Sequence, residues 1–470
     1  MLSVSIDGSI LVIGVELDVV RVCWLEPIAN ASATPPPAGD SAAQLTDRYD
    51  GQYRLVGWQQ LQNNGQATLL QQIERACLRL GKQMGRPFWD DIHAAPLMEH
   101  ATTDPVPGNG LATPMFRHVV AAATPQPHLR AWLMGVSPSV SIAAAQQTLA
   151  SSPTQLVGIT HLEQQITPRQ LANDIQKANA DVLVIVGGYD IASTHATAPL
   201  QTLTDRVVEA LLRMPPDQHP KLFFAGNRWA AGIVESTLTA ANENFDAETV
   251  ANVLPKPGVL QPSGLVHALS YYHWRLCQRV SGFAQIERWA ASGTYLAQIN
   301  SMEWNFAQLV QAWMRYQNLP YLHGIYRTTN WWLHVWATAN QRTVRMVYHN
   351  PNRPSEPSGV NLRSRLLPDY QPPLDLAASP STNVAYWPPA QLISDSLTPH
   401  AIAPPSIRGL DRFRSPKTGQ PSAQGIVNTT PEIRTADVLW WDRHGLAPAI
   451  AAVGQVTPQA MLQVLAADVF

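Results

Sequence analysis

The chain has 470 residues, more than one compact core accommodates, so two or three domains or lobes are expected. Hydrophobic residues make up 45%, which excludes a wholly disordered or collagen-like chain. Charged residues are only 14%, and 32 Lys plus Arg nearly balance 34 Asp plus Glu. That balance supports neither nucleic-acid binding by phosphate neutralisation nor attachment to an anionic membrane surface. Cys23, Cys77 and Cys277 form an odd, sparse set without a CxxC pair, which argues against a disulfide framework or zinc knuckle and fits a reducing cytoplasm. The start, MLSVSIDGSILVIGVELD, lacks the basic region of a signal peptide, and no apolar run approaches the roughly 18 residues of a membrane span. Prolines (39) and tryptophans (15) are numerous.

In chain order, SILVIGVELDVVRVCWLE (9–26) predicts a long strand or a strand pair. Residues 30–50 read as a Pro-rich loop and YRLVGWQQ (53–60) as a further strand. Leu69, Leu70, Ile73, Ala76, Cys77 and Leu80 have helical spacing, with Gly81 and Gly85 as the stop. Residues 91–128 carry little periodicity and read as an excursion or linker. From 129 strands and helices alternate: strand 129–138, helix 141–150, strand 155–161, helix 168–179, strand 181–190, helix 203–213, strand 221–227, helix 228–241 and strand 248–255. Thr167-Pro168 has the form of an N-cap followed by Pro at the first helical position. Such alternation predicts a parallel sheet covered on both faces, with ligands at the C-terminal strand ends. Those ends carry Gly135–Ser137, Gly187-Gly188 and Gly226-Asn227. Residues 264–318 read as two or three helices, and 322–350 as a β-hairpin turning near Ala339-Asn340. Residues 351–435 are Pro-rich and patternless, and 445–470 resumes a helical pattern. No internal sequence repeat is visible.

The chain contains no GxxxxGK[ST], GxSxG or HExxH. Its 14 histidines form no metal-ligand pattern, and the cysteines read better as buried small hydrophobes than as nucleophiles. Gly187-Gly188 after a buried strand allows two readings: close approach to a phosphate, or a tight β-to-α turn. The Trp group at 331, 332 and 336 suits core or interface packing better than ligand stacking.

Four blocks in order, LMGVSPSVSIAAAQQTLA (133–150), VLVIVGGYD (182–190), FFAGN (223–227) and NVLPKPGVLQPSG (252–264), together resemble the MutL family of glutamate mutase accessory proteins, as does 442–470. The resemblance implies an α/β, bilobal actin-like (ribonuclease-H-like) ATPase fold with mixed sheets and flanking helices. It places a first lobe at 1–320, containing the βαβα region 129–260 and helices 264–318. A shortened second lobe follows at 321–470, with the irregular segment 351–435. Members act as ATP-dependent activators or reactivators of a cobalamin-dependent mutase. Two hairpins carrying Asp, Gly and Thr or Ser grip the phosphates, the Asp holding magnesium or water.

This chain departs from that pattern at both hairpins. In LVIGVELDVVRV (11–22) Gly14 stands at the Asp position, Glu16 replaces Gly and Leu17 replaces Ser, with Asp18 and Arg21 as partial compensation. In LHGIYRTTNWW (322–332) Tyr326 stands at the Asp position and Thr328 at a Gly position. Gly187, Gly188, Asp190, Gly226 and Asn227 remain as a candidate vestigial nucleotide cleft, with Tyr189 replacing the family's Thr. The expectation is a pseudo-ATPase without catalytic or metal-binding residues. It would act as a binding, scaffold or regulatory partner of another protein, such as a cobalamin-dependent mutase or a homologous subunit. One alternative is a working reactivase using ATP and magnesium; another is a purely structural interaction protein.

Overall fold

The computed structural model describes residues 8–27, 53–98 except 63, 64 and 66, 116–291 except 243, 299–349 except 317, 318, 320, 328–330 and 339–343, then 437–441 and 447–455. The predicted loop 30–50, the Pro-rich segment 351–435, Thr328, the Ala339-Asn340 turn and most of 442–470 lie outside these residues.

The first sheet has the order β3-β2-β1-β6. Its strands are β1 (Ile10–Glu16), β2 (Val19–Pro27), β3 (Tyr53–Gln62) and β6 (His118–Thr124), with a small ribbon of β4 (Trp89–Asp90) and β5 (Ala95–Pro96) beside it. Residues 9–26 are thus a strand pair, in register Ile13↔Val22 and Val15↔Val20. β6 pairs parallel with β1. This corrects the reading of 91–128 as an excursion: HVVAAAT is a fully buried strand at the end of the sheet, and its alanines had masked its β character.

Successive residues of β1 face opposite ways. Leu11, Ile13 and Val15 pack with Ile73, Ala76, Cys77 and Leu80 of α1 (Leu69–Met84) and with Phe283 and Ile286 of α7 (Phe283–Ala291). Ile10 and Val12 pack instead with Met302, Phe306 and Val310 of α8 (Met302–Tyr316) and with Ala449 and Ile450 of α9 (Ala447–Ile450). Thr68 closes a capping box at the start of α1, and Gly85 ends it in the left-handed conformation, while Gly81 lies inside the helix.

A five-stranded parallel sheet, β11-β10-β9-β7-β8, occupies the middle of the chain. Its strands are β7 (Leu129–Gly135), β8 (Thr154–His161), β9 (Val182–Val186), β10 (Lys221–Phe224) and β11 (Ala247–Thr249). The expected cover on both faces is present. Leu183 and Ile185 face α3 (Pro168–Ala178), α4 (Thr194–Leu211) and α5 (Ala231–Ala241). Val182, Val184 and Val186 face α2 (Ala143–Leu149) and α6 (Ser263–Gln278). Thr167 and Pro168 open α3 through a capping box. Several boundaries differ from expectation, two of them widely. α4 begins at Thr194, capped by the Ser193 hydroxyl, and carries Pro199 inside it; that proline hid its first turns. β11 (Ala247–Thr249) keeps only residues 248 and 249 of the strand expected over 248–255.

The third sheet, β14-β13-β12-β15, contains β12 (Tyr321–Arg327), β13 (Trp332–Thr338), β14 (Arg345–His349) and β15 (Asp437–Trp441). Residues 322–350 therefore supply three strands rather than one hairpin. The sheet repeats the first one's pairing: two antiparallel pairs, then a parallel strand beside the first. A duplicated topology is present without a detectable sequence repeat. α8 contacts β12 and β13 as well as β1 and β6, so it lies between the two sheets.

Phe306 sits in that shared layer, fully buried, its ring centroid 5.4 Å from Tyr326. Phe306→Ala is expected to cost about 3–5 kcal/mol of unfolding free energy, read by urea denaturation; a loss below about 1 kcal/mol would show that this layer is loosely packed.

Candidate functional site

The tip of the first hairpin is Glu16, Leu17 and Asp18, between β1 and β2. Gly14 and Glu16 share the β1 face that carries Ile10 and Val12, and Arg21 pairs across the ladder from Gly14. A Cβ at Gly14 would stand 2.7 Å from the Ala449 Cβ, so α9 closes the position where the resemblance expects an acid.

Glu16 and Arg21 are about 5% and 6% exposed, and Tyr326 is fully buried. The Arg21 guanidinium and the Tyr326 hydroxyl both donate to Glu16 Oε1. Arg21 Nε also donates to Gln60 Oε1 at 3.2 Å. Glu16 and Tyr326 belong to different sheets, so this cluster ties the first sheet to the third. Burial pushes the Glu16 carboxyl up to about 7, against the opposing effects of the Arg21 charge and the two hydrogen bonds. Burial and the neighbouring Glu16 charge push the Tyr326 hydroxyl well up.

Beside this cluster lies a cavity of about 580 Å³. Its walls come from the hairpin tip, the β6–β7 connection, α2, β8, the first turn of α8, Trp331 and Tyr348. Four carboxylates line it, Glu16, Asp18, Asp181 and Glu303, against one arginine, Arg130. The Thr124 hydroxyl donates to Glu303 Oε2 at 2.7 Å and accepts from Met302 N at 3.0 Å, which fixes the start of α8. His128 stacks on Trp331 at 4.7 Å between ring centroids and meets Tyr348 edge-on at 5.1 Å. Burial, helped by neighbouring His273, pushes His128 down to about 3, so it is neutral at physiological pH.

Gly187, Gly188, Asp190, Gly226 and Asn227 are gathered in one loop cluster at the C-terminal ends of β9 and β10. Asn227 N donates to Gly187 O at 2.8 Å, and Asn227 Nδ2 to Ile191 O at 3.0 Å. Asp190 Oδ1 accepts from Arg228 N at 3.0 Å and Asn252 Nδ2 at 2.8 Å. Gly187 has φ +149°, and a Cβ there would lie 2.5 Å from Val136 Cγ2. Its close neighbour is therefore the adjacent loop of the same chain. A pocket of about 220 Å³ adjoins Gly187 and Gly188 between β7 and β9, where the strand order reverses. None of the five residues lines the larger cavity. Sequence reading missed Glu303, Thr124, His128, Tyr348 and Asn252; of these only Asn252, within NVLP, stood in a quoted motif.

The expected packing role of Trp331 fits its stacking on His128. All three cysteines are buried, and none is in a disulfide. Among the described residues no group of three His, Cys, Asp or Glu is placed to hold a metal ion.

Because the Glu16 carboxyl is raised in the folded chain, its stabilising contribution is complete below the unfolded value near 4.5 and is lost as pH rises through about 7. Full ionisation is expected to remove roughly 3 kcal/mol. Urea unfolding of the wild type should therefore lose stability between about pH 5 and 8 relative to Glu16→Gln. Parallel pH profiles would show that Glu16 does not titrate in this range.

Residues 70–300 match the family model described as MutL protein. No curated protein matches the chain. A solved structure of nucleotide-free acetone carboxylase, from work on the mechanism of ATP-dependent acetone carboxylation, is similar at 8% identity and a TM-score of 0.29. That match covers 73% of this chain and 48% of the other, so the chain spans under half the length of that protein, and so low a score defines no shared fold. The similarity to the MutL family thus spans residues 70–300, just under half of the chain.

Proposed function

We propose that this chain is a glutamate mutase accessory protein of the MutL type whose nucleotide cleft has been rebuilt. It neither holds nor hydrolyses magnesium–ATP, and it works by binding another protein, a cobalamin-dependent mutase or a homologous subunit. The actin-like bilobal reading belongs to this proposal, with lobes at 1–320 and 321–470. Its support is the pairing pattern shared by the first and third sheets, with α8 between them.

The observation that carries the proposal is the buried Glu16–Arg21–Tyr326 cluster joining the two hairpins. In an actin-like frame the phosphates lie between those hairpins, against glycines and a magnesium-binding acid. Here the nearest groups are a carboxylate already bonded to a guanidinium and a phenol. Glu303 and Asp18 line the adjoining cavity. A phosphate charge about 5 Å from one ionised carboxylate meets a repulsion of roughly 3 kcal/mol at an effective dielectric near 20. The residues present do not fit magnesium–ATP.

A partner-binding role draws on the low charge and high tryptophan content of the chain. No described helix is long and apolar enough to cross a membrane. With three buried cysteines and no disulfide among them, we read the compartment as the cytoplasm.

Phosphate release from magnesium–ATP is expected to be no faster with the protein than without it. Release that copurifies with the chain and falls more than tenfold in Asp18→Asn would contradict the proposal. Gly14→Asp, which restores the family's acid, is expected to lower stability by at least about 2 kcal/mol through its clash with Ala449, without creating turnover. A thermal melt beside the phosphate assay measures both effects.

A further inference from the structure

The loops at the C-terminal end of the five-stranded sheet leave large apolar side chains in water. Val140 follows β7, Ile191 follows β9, Trp229 follows β10 and Val259 follows β11, and each is between 40% and 52% exposed. In a parallel sheet these four loops share one edge. Hydrogen bonds tie three of them together: Asp190 N donates to Pro255 O at 2.9 Å, Asn227 Nδ2 to Ile191 O at 3.0 Å and Asn252 Nδ2 to Gly188 O at 3.0 Å. At this edge lies the pocket of about 220 Å³, walled by Val136, Val140, Gly187, Tyr189, Val253 and Leu254 among others. Val136, Tyr189 and Leu254 are half-buried and Val140 is exposed, so the pocket opens to solvent. The polar side chains of Ser141 and Asn252 in its wall are already satisfied. Ser141 Oγ donates to Ser137 O at 3.1 Å and accepts from Ser137 N at 3.0 Å, while Asn252 bonds Gly188 O, Asp190 Oδ1 and Leu254 N.

We propose that this edge docks a segment of another protein, seating one phenylalanine-sized side chain in the pocket with carboxylates on either side of it. The inference gives the partner-binding reading a surface, and it rests on that reading in taking the occupant to be a protein. Three observations select this occupant. An apolar cavity of about 150 Å³ takes a benzene ring, so about 220 Å³ takes one aromatic side chain; small-molecule sites begin near 300 Å³. The satisfied wall offers a polar ligand little to bond, and its loops are tied before any partner arrives, which lowers the ordering cost of docking. On the four loops the exposed charged residues are Arg228 and Lys256, whereas the single acid, Asp190, is half-buried with Oδ1 taken by Arg228 N and Asn252 Nδ2. The Arg228 guanidinium lies over the Trp229 ring, 5.0 Å from its centroid. An exposed aromatic beside a cation complements an apolar anchor flanked by acids.

The test is isothermal titration of the full chain with a blocked pentapeptide carrying one phenylalanine between two Asp-Glu pairs. We expect one saturable site. Alanine in place of the phenylalanine should weaken binding at least tenfold, as should Val140→Asp, a change at an exposed position. Arg228→Glu combined with Lys256→Glu should weaken it at least fivefold. No saturable binding up to about 1 mM peptide overturns the proposal. So does equal binding of the alanine peptide, even if Val140→Asp does not fold, or equal binding of a peptide with serine in place of the acids. Self-association of the chain in sedimentation, abolished by Val140→Asp, overturns it by giving the edge to a second copy. A parallel titration with magnesium–ATP separates the two readings. Saturable binding of ATP refutes the nucleotide-free reading, whereas silence with both ATP and peptide refutes only the docking edge.

Discussion

Glu16 is a carboxylate at the end of a central strand, shielded from water, and it must be compensated where it stands. Arg21, one ladder step away, supplies the charge, and Tyr326 supplies a hydrogen bond from a different sheet. Breaking either contact leaves a buried group unmatched, and one-sided losses of this kind cost more than the pair contributes. The cluster therefore fixes how the two hairpins approach each other. It also fills the space between them with side chains that suit each other better than they suit a phosphate.

The rest of the architecture serves that arrangement. β1 is covered on one face by α1 and α7 and on the other by α8 and α9, so its register has little freedom. Gly14 allows α9 to approach closely, which keeps the Glu16 side of the strand dry. The first turn of α8 is held by Thr124, and this brings Glu303 to the wall of the same cavity. The five-stranded sheet and α2 packed on it contribute the opposite wall through Arg130, Asp181, Gln146 and Leu149. Its own C-terminal loops are closed by hydrogen bonds among Gly187, Asp190, Asn227 and Asn252. Two distinct concavities result, one acidic and between sheets, one small and at the sheet end.

Much of the central region was legible in the sequence because its signals are local. VLVIV is a buried parallel strand by composition, and Thr167-Pro168 marks a helix start by its own chemistry. β6 was missed because HVVAAAT lacks alternation and follows a stretch rich in Pro and Gly. The start of α4 was hidden by Pro199, which sits inside the helix, past its first turn. The departures at Gly14, Glu16 and Tyr326 from the pattern that the resemblance implies were visible in the sequence. That Glu16 and Tyr326 then bond each other could not, since 310 residues separate them and no local rule pairs them. Glu303 had no signal either: an acid in the first turn of a helix is ordinary, and only the fold places it on a cavity.

The central claim is that this cleft has exchanged nucleotide for internal side-chain contacts. Isothermal titration of the full chain with ATP and ADP, each with and without Mg²⁺, measures it most directly. The account predicts no detectable heat of binding under any of the four conditions. Tight, Mg²⁺-dependent binding of ATP would contradict it and would mean that the hairpins open around Glu16 to admit a triphosphate.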